Sequence, residues 1–178
     1  MNPILTLPST KYKNSYLEAI QEFSAKHLKE FEYSSIEEMK SDFDTYVTKI
    51  RNYSKGIGLP EGYIPHTEFW LVESGKYIGR LDIRHYLNEF LENVGGNIGY
   101  DIRPPMREKG YGSNILKLGL EKAKELGLEK VLLTCTDGNI ASEKIILKNG
   151  GKFEDSRYHD MHKVYKKRFW IDLGSQKI

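Results

Sequence analysis

A chain of 178 residues, 39% of them hydrophobic, is long enough to bury the core of one domain and short for two. Its 27 basic and 25 acidic side chains nearly cancel, and a net charge of +2 makes no broad field, so neither a nucleic acid nor a membrane surface is expected as partner. The single Cys135 excludes an internal disulfide; with no charged, apolar leader before Ser9 and no apolar run near the ~20 residues that span a bilayer, a soluble cytoplasmic protein is expected.

Residues 4–7 suit a short strand ended by Pro8, after which Asn14 or Ser15 can cap a helix whose Leu17, Ile20, Phe23, Leu28 and Phe31 share a face. A second helix is expected from Ser34 or Ser35, with Ile36, Met39, Phe43, Tyr46, Val47 and Ile50 recurring at three- and four-residue steps. Glycines and prolines between residues 56 and 65 break regular structure into a surface loop. Segments 67–73 and 77–86 are rich in aromatic and β-branched residues and flank Ser74-Gly75-Lys76, which predicts an antiparallel hairpin. Residues 87–93 are expected to coil briefly before Gly95-Gly96 turns the chain into a strand ending at Arg103.

The next stretch, Arg107-Glu108-Lys109-Gly110-Tyr111-Gly112, joins that strand to a helical run over residues 113–126. Gly110 and Gly112 permit backbone conformations in which successive N–H groups converge, and they do so at a helix N-terminus, whose unpaired donors and dipole attract an anion. Arg107 and Lys109 add to that sign, making a phosphate or pyrophosphate the natural guest. A tight loop with ordinary glycines is the plainer alternative. No Gly-Lys-Ser/Thr follows the loop, and Ile115 stands where a dinucleotide fingerprint needs its third glycine.

Gly127 ends the helix, residues 131–136 read as a buried strand, and the crossover makes the strands on either side parallel. A shorter helix over residues 139–148 closes at Gly150-Gly151, and residues 152–158 and 162–172 form a last hairpin. Lys163, Lys166, Lys167 and Arg168 read as a solvated strand edge. His159 and His162 lack the further ligands of a metal site, so no metal is expected.

With these motifs on hand, the chain resembles the GNAT superfamily of N-acetyltransferases. The resemblance rests on Ile102-Arg103-Pro104 followed by Arg107-x-x-Gly110-x-Gly112, then on Asn139 and Gly150-Gly151 downstream, and extends over residues 67–170. It implies an α/β fold with a mixed, mostly antiparallel sheet packed by helices on both faces, and acetyl-CoA as acyl donor. The donor is expected on Arg107, Glu108, Lys109, Gly110, Tyr111, Gly112 and Ser113, with its pantetheine arm along Ile102 and Arg103 and near Asn139 and Ser142. Pro104 and Pro105 lack N–H donors and favour a splayed gap beside the next strand for that arm. Asn139 also reads as a plain helix N-cap, and Cys135 as buried structural sulfur.

Aminolysis of a thioester needs an oxyanion donor, for which a backbone N–H near Ile102 is suited, and a base, for which Asp101 and Asp82 are the candidates. Both carboxylates can equally be ion-pair partners of Arg84 or Arg103. Many family members carry a Tyr seven residues after the Asn; that position is Ile146 here, leaving Ser142 or a tyrosine such as Tyr158 to serve the leaving thiolate. Arg84, His85 and Tyr86 close a strand toward the acceptor side, His85 having a satisfied structural role as its simpler reading. Tyr33, Phe69 and Tyr86, with Glu68, Asp82 and Glu89, can meet a cationic amine of a small molecule or protein. Three functions remain: N-acetyltransferase, a noncatalytic acyl-CoA sensor, or a nucleotide-binding protein, the last disfavoured by its motifs. A homodimer paired through Phe169, Trp170 and Ile171 is compatible with the sequence.

Overall fold

The computed structural model describes residues 3–25 and 36–174. Strand-period segments form two antiparallel sheets. The first runs β1 (Ile4–Thr6), β2 (His66–Glu73), β3 (Lys76–Arg84), β4 (Ile98–Ile102) in spatial order. The second holds β5 (Lys130–Thr136), β6 (Lys152–His159) and β7 (Val164–Asp172) in the order β5-β7-β6. Ser74 and Gly75, at φ 49° and 76°, make the two-residue β2–β3 turn whose twist suits a hairpin.

Alternation along β2 divides the residues between two cores. Phe69 and Leu71 join Leu81, Ile98, Ile102, Val131, Leu133 and Phe169 in one. Trp70 and Val72 face α1 (Lys13–Ala25) and α3 (Phe43–Asn52), where Trp70 stacks on Tyr16 at 4.5 Å between ring centroids. Helix α4 (Tyr111–Glu125) covers the opposite face and lies flush on β3: a Cβ at Gly119 would come within 2.3 Å of Leu81 Cδ1. The sheet thus carries helices on both faces, as expected.

The helix boundaries correct the sequence reading. A 3₁₀ turn over Thr10–Tyr12 leads into α1, with Ser9 accepting from Lys11 N, so the cap lies upstream of Asn14 and Ser15. Ser15 instead accepts from Tyr77 N at 3.0 Å, tying α1 to β3. The expected second helix is two, α2 (Ile36–Ser41) and α3, because Asp42 interrupts it and caps α3 by accepting from Thr45 N at 3.0 Å. Leu28, Phe31, Tyr33, Ser34 and Ser35 lie outside the described residues. Helix α4 begins at Tyr111 rather than Ser113.

β7 is the middle strand of its sheet, so its basic residues are no solvated edge. Arg168 is 2% exposed and bonds to Asp155, Lys166 donates to Thr136 Oγ1, and Lys167 pairs with Glu143 on α5 (Ile140–Lys148). Phe169 and Ile171 are buried, and Trp170 Nε1 donates to Glu154, which removes the basis for pairing copies through that trio.

Among the described residues the two sheets are joined by hydrogen bonds at Asn97. A π turn over Leu91–Gly95 closes with Gly96 N donating to the Leu91 carbonyl, and Asn97 follows, 3% exposed. Asn97 N donates to the Leu132 carbonyl at 2.7 Å while its Oδ1 accepts from Leu132 N at 2.8 Å. Beyond this clamp β4 ladders with β3 and β5 with β7. The expected parallel neighbours therefore touch near the starts of both strands and then part.

Candidate active site

Beside the parted strands lies the glycine loop. Gly110 sits at φ 85°, in the left-handed region, and the first intrahelical bond runs from Asn114 N to the Gly110 carbonyl, leaving the amides of Tyr111, Gly112 and Ser113 without helical acceptors. Tyr111 OH donates to Glu73 at 2.5 Å, fastening the loop to the β2–β3 hairpin, and this bond raises the tyrosine's pKa. Gly112 faces α5, where a Cβ would come within 2.6 Å of Ile145 Cδ1. Asn149 Nδ2, at the end of α5, donates to the Ser113 carbonyl at 3.3 Å. A cavity of about 340 Å³ opens there, lined by Gly110, Ser113, Asn114, Lys117, Lys148 and Asn149.

The predicted cations are arranged differently. Arg107 Nε donates to the Ile102 carbonyl at 2.9 Å and its guanidinium lies over the Phe23 ring, so this side chain braces β4 rather than facing the cavity. Glu108, at φ 61°, and Lys109 are exposed. The lysines that line the cavity are Lys117 and Lys148, which the sequence reading passed over; Lys117 follows Ser113 by one helical turn, a spacing that places both on one face of α4.

Within the gap, the β3–β4 register decides which backbone groups are available. Arg103 N donates to the Ile78 carbonyl, so by antiparallel alternation the polar groups of Tyr100 and Ile102 turn away from β3, toward β5. Arg103 is fully engaged: its guanidinium bonds Glu22 at 2.6 and 2.7 Å and Glu18 at 3.2 Å on α1, and it offers the gap neither backbone N–H nor side chain. Asn139 caps α5 by accepting from Ser142 N at 3.1 Å, its plainer reading. Ser142 Oγ meets Tyr100 OH at 3.3 Å. Ile146 is 1% exposed in the core, and Cys135 is buried, its thiol pushed up by that burial and by Glu143. Tyr158 packs on Tyr165.

On the face shared with α1 and α3, the register aligns Trp70, Arg80 and Asp101 in one row and Glu68, Asp82 and Gly99 in the next. Asp101 Oδ2 pairs with Arg80 at 3.3 Å, a partner the sequence reading did not name. Arg84 Nη1 reaches the Gly96 carbonyl. His85 Nε2 meets Thr67 Oγ1 at 2.9 Å, and burial, then His66, lowers its pKa; it has the satisfied structural role. Tyr86 is exposed and Phe69 is core.

Glu68 is the residue the sequence undervalued. It is 7% exposed, accepts from Trp70 Nε1 at 2.6 Å and lines a cavity of about 330 Å³ with Thr67, Ile50 and Asn52. Burial foremost, then the Asp82 charge, pushes its pKa up to about 7. Its folded-state pKa exceeds its unfolded one, so native protein binds the extra proton and stability falls as pH rises from about 4.5 toward 7. Glu68→Gln is accordingly expected to raise unfolding free energy at pH 8 by about 2–3 kcal/mol, with the gain vanishing near pH 4. Urea titrations at the two pH values check this; an equal effect at both would contradict it.

Residues 13–152 match the family model described as the Acetyltransferase (GNAT) domain, beginning well upstream of the motifs. No curated protein matches the chain significantly. Among solved structures, MccE, a microcin self-immunity acetyltransferase bound to acetyl-CoA and AMP, superposes at TM-score 0.65 with 14% identity, covering 94% of this chain and 91% of that one. A Salmonella typhimurium acetyltransferase that modifies the N-terminal serine of a 50S ribosomal subunit protein gives TM-score 0.63, 13% identity, and 94% and 93% coverage. A chimera of the spermidine N-acetyltransferase SpeG from Vibrio cholerae and hSSAT gives TM-score 0.62, 14% identity, and 97% of both chains. At such identities the likeness is one of fold.

Proposed function

This chain belongs to the GNAT acetyltransferase family, and from that premise we propose that it moves an acetyl group from acetyl-CoA to a primary amine of a small molecule or protein by direct attack on the thioester. The observation that carries the proposal is the gap between β4 and β5 opening beside a helix start whose first amides lack helical acceptors. The unpaired amides of Tyr111, Gly112 and Ser113 hold the pyrophosphate, with Lys117 and Lys148 nearby. The pantetheine arm extends β4 as an added strand, its amides pairing with the gap-facing N–H and carbonyl of Tyr100 rather than with Arg103, while the Ile102 carbonyl is held by Arg107 Nε.

There the Ile102 N–H stabilises the oxyanion. The amine arrives on the sheet face that carries Asp82 and Asp101 on the aligned rows, beside the Arg84 guanidinium that lies over Gly99. One of these two takes the ammonium proton, directly or through water. Asp82 is favoured, because Asp101 is already bound to Arg80, and Glu68 behind Asp82 offers a second place for a proton. Tyr86, exposed two residues past the end of β3, meets the acceptor. The acceptors named for the neighbours, an N-terminal serine and spermidine, are both amines, which supports the substrate class.

Release of free CoA thiol across a panel of amines, including a polyamine and an N-terminal peptide, tests the reading. Amine-dependent release is expected. Acetyl-CoA binding with no turnover on any amine would favour the sensor, and ATP or NAD displacing acetyl-CoA would favour a nucleotide-binding role.

A further inference from the structure

Amine attack forms the C–N bond and breaks C–S, leaving an electron pair on sulfur that must be stabilised and protonated before CoA departs. The gap is poor in groups for that task. On α5 the face toward the core continues from Ser142 one turn on to Ile146, which is apolar and 1% exposed. Cys135 on β5 is a buried thiol. Only one hydroxyl pair spans the gap among the bonds of the described residues: Tyr100 OH from β4 and Ser142 Oγ from α5, at 3.3 Å.

Tyr100 is placed by its backbone. It is cross-strand partner of Leu81 and so points to the α4 and α5 face, while its own amide and carbonyl turn toward β5 beside the path proposed for the pantetheine arm. We infer that Tyr100 is the residue that donates to the leaving sulfur: its hydroxyl proton passes to the thiolate as C–S breaks, giving CoA thiol, and the phenolate is reprotonated from solvent through Ser142. The inference rests on the transfer reaction proposed above. Burial pushes the phenol's pKa up to about 12 against the lowering effect of the Ser142 bond, which keeps the donor form populated throughout the working range. Cys135 on β5 and, from the other face of its own strand, Asp101 both raise it further.

Tyr100→Phe keeps the ring and removes only the donor. Acetyl-CoA affinity by calorimetry is expected to stay within about twofold, while kcat falls about 10- to 30-fold, less than for many general acids because a thiolate is a tolerable leaving group. In a second preparation, 3,5-difluorotyrosine at position 100 lowers the phenol pKa without removing it, and the alkaline limb of kcat is expected to move to lower pH. Unchanged kcat in the Phe variant, or an unmoved limb in the fluorinated protein, overturns the assignment to Tyr100. Wild type that binds no acetyl-CoA or turns over no amine would instead sink the parent reading.

Discussion

Acetyl-CoA binding is expected to fall about 1,000-fold or more, beyond calorimetric detection, when Gly110 and Gly112 are both replaced by aspartate. Three effects act together. Gly110 holds φ 85° with no heavy atom within 4 Å of a Cβ built on it, so the cost there is backbone strain on the order of 1–3 kcal/mol rather than a clash. A Cβ on Gly112 would stand 2.6 Å from Ile145 Cδ1, so a side chain there forces Ile145 to repack between α4 and α5. Two carboxylates then stand where amides should meet a diphosphate, and repulsion replaces attraction. Circular dichroism separates a folded nonbinding variant from an unfolded one. Retained binding in the folded double variant would move the pyrophosphate site away from this loop.

Gly96→Ala is expected to cost about 3–5 kcal/mol of stability in urea unfolding. Gly96 combines φ 75° with a would-be Cβ only 2.6 Å from the Leu132 carbonyl oxygen and 3.2 Å from its carbon. Both are backbone atoms and cannot swing aside. The shift needed would draw Leu132 off the two hydrogen bonds it makes with Asn97, the bonds that join the sheets. Because this joint is the vertex from which β4 and β5 part, the surviving folded fraction is also expected to bind acetyl-CoA more weakly. A loss under about 1 kcal/mol would show that the joint is more yielding than its contacts imply.

The order of elements, the hairpins, the glycine loop and the family were legible in the sequence. Each is recorded locally: period-two runs around Ser74-Gly75, a helix stop at Gly127, the Arg107-x-x-Gly110-x-Gly112 spacing. Local pattern also misled where a polar residue had two possible uses. Ser15 looks like a cap and is bonded to Tyr77, while Asp42 looks like one more polar residue on a helix and divides it. The basic run of β7 looked like an edge because a strand's position in its sheet is not written in its own residues.

What the sequence determined by itself was therefore which segments exist and that a glycine loop precedes α4, since backbone propensity and glycine conformation are properties of neighbours along the chain. Partnership across space was decided only by the tertiary structure. Register set Asp101 against Arg80 and Glu68 beside Asp82, and burial then raised the pKa of Glu68, which the sequence marked only as one of several acids. The Asn97–Leu132 joint opened the gap, and the packing of α5 over it brought Ser142 to Tyr100, 42 residues away along the chain. Charge, desolvation and hydrogen-bond geometry depend on which atoms end up within a few ångströms, and for these residues that is fixed by folding rather than by spacing.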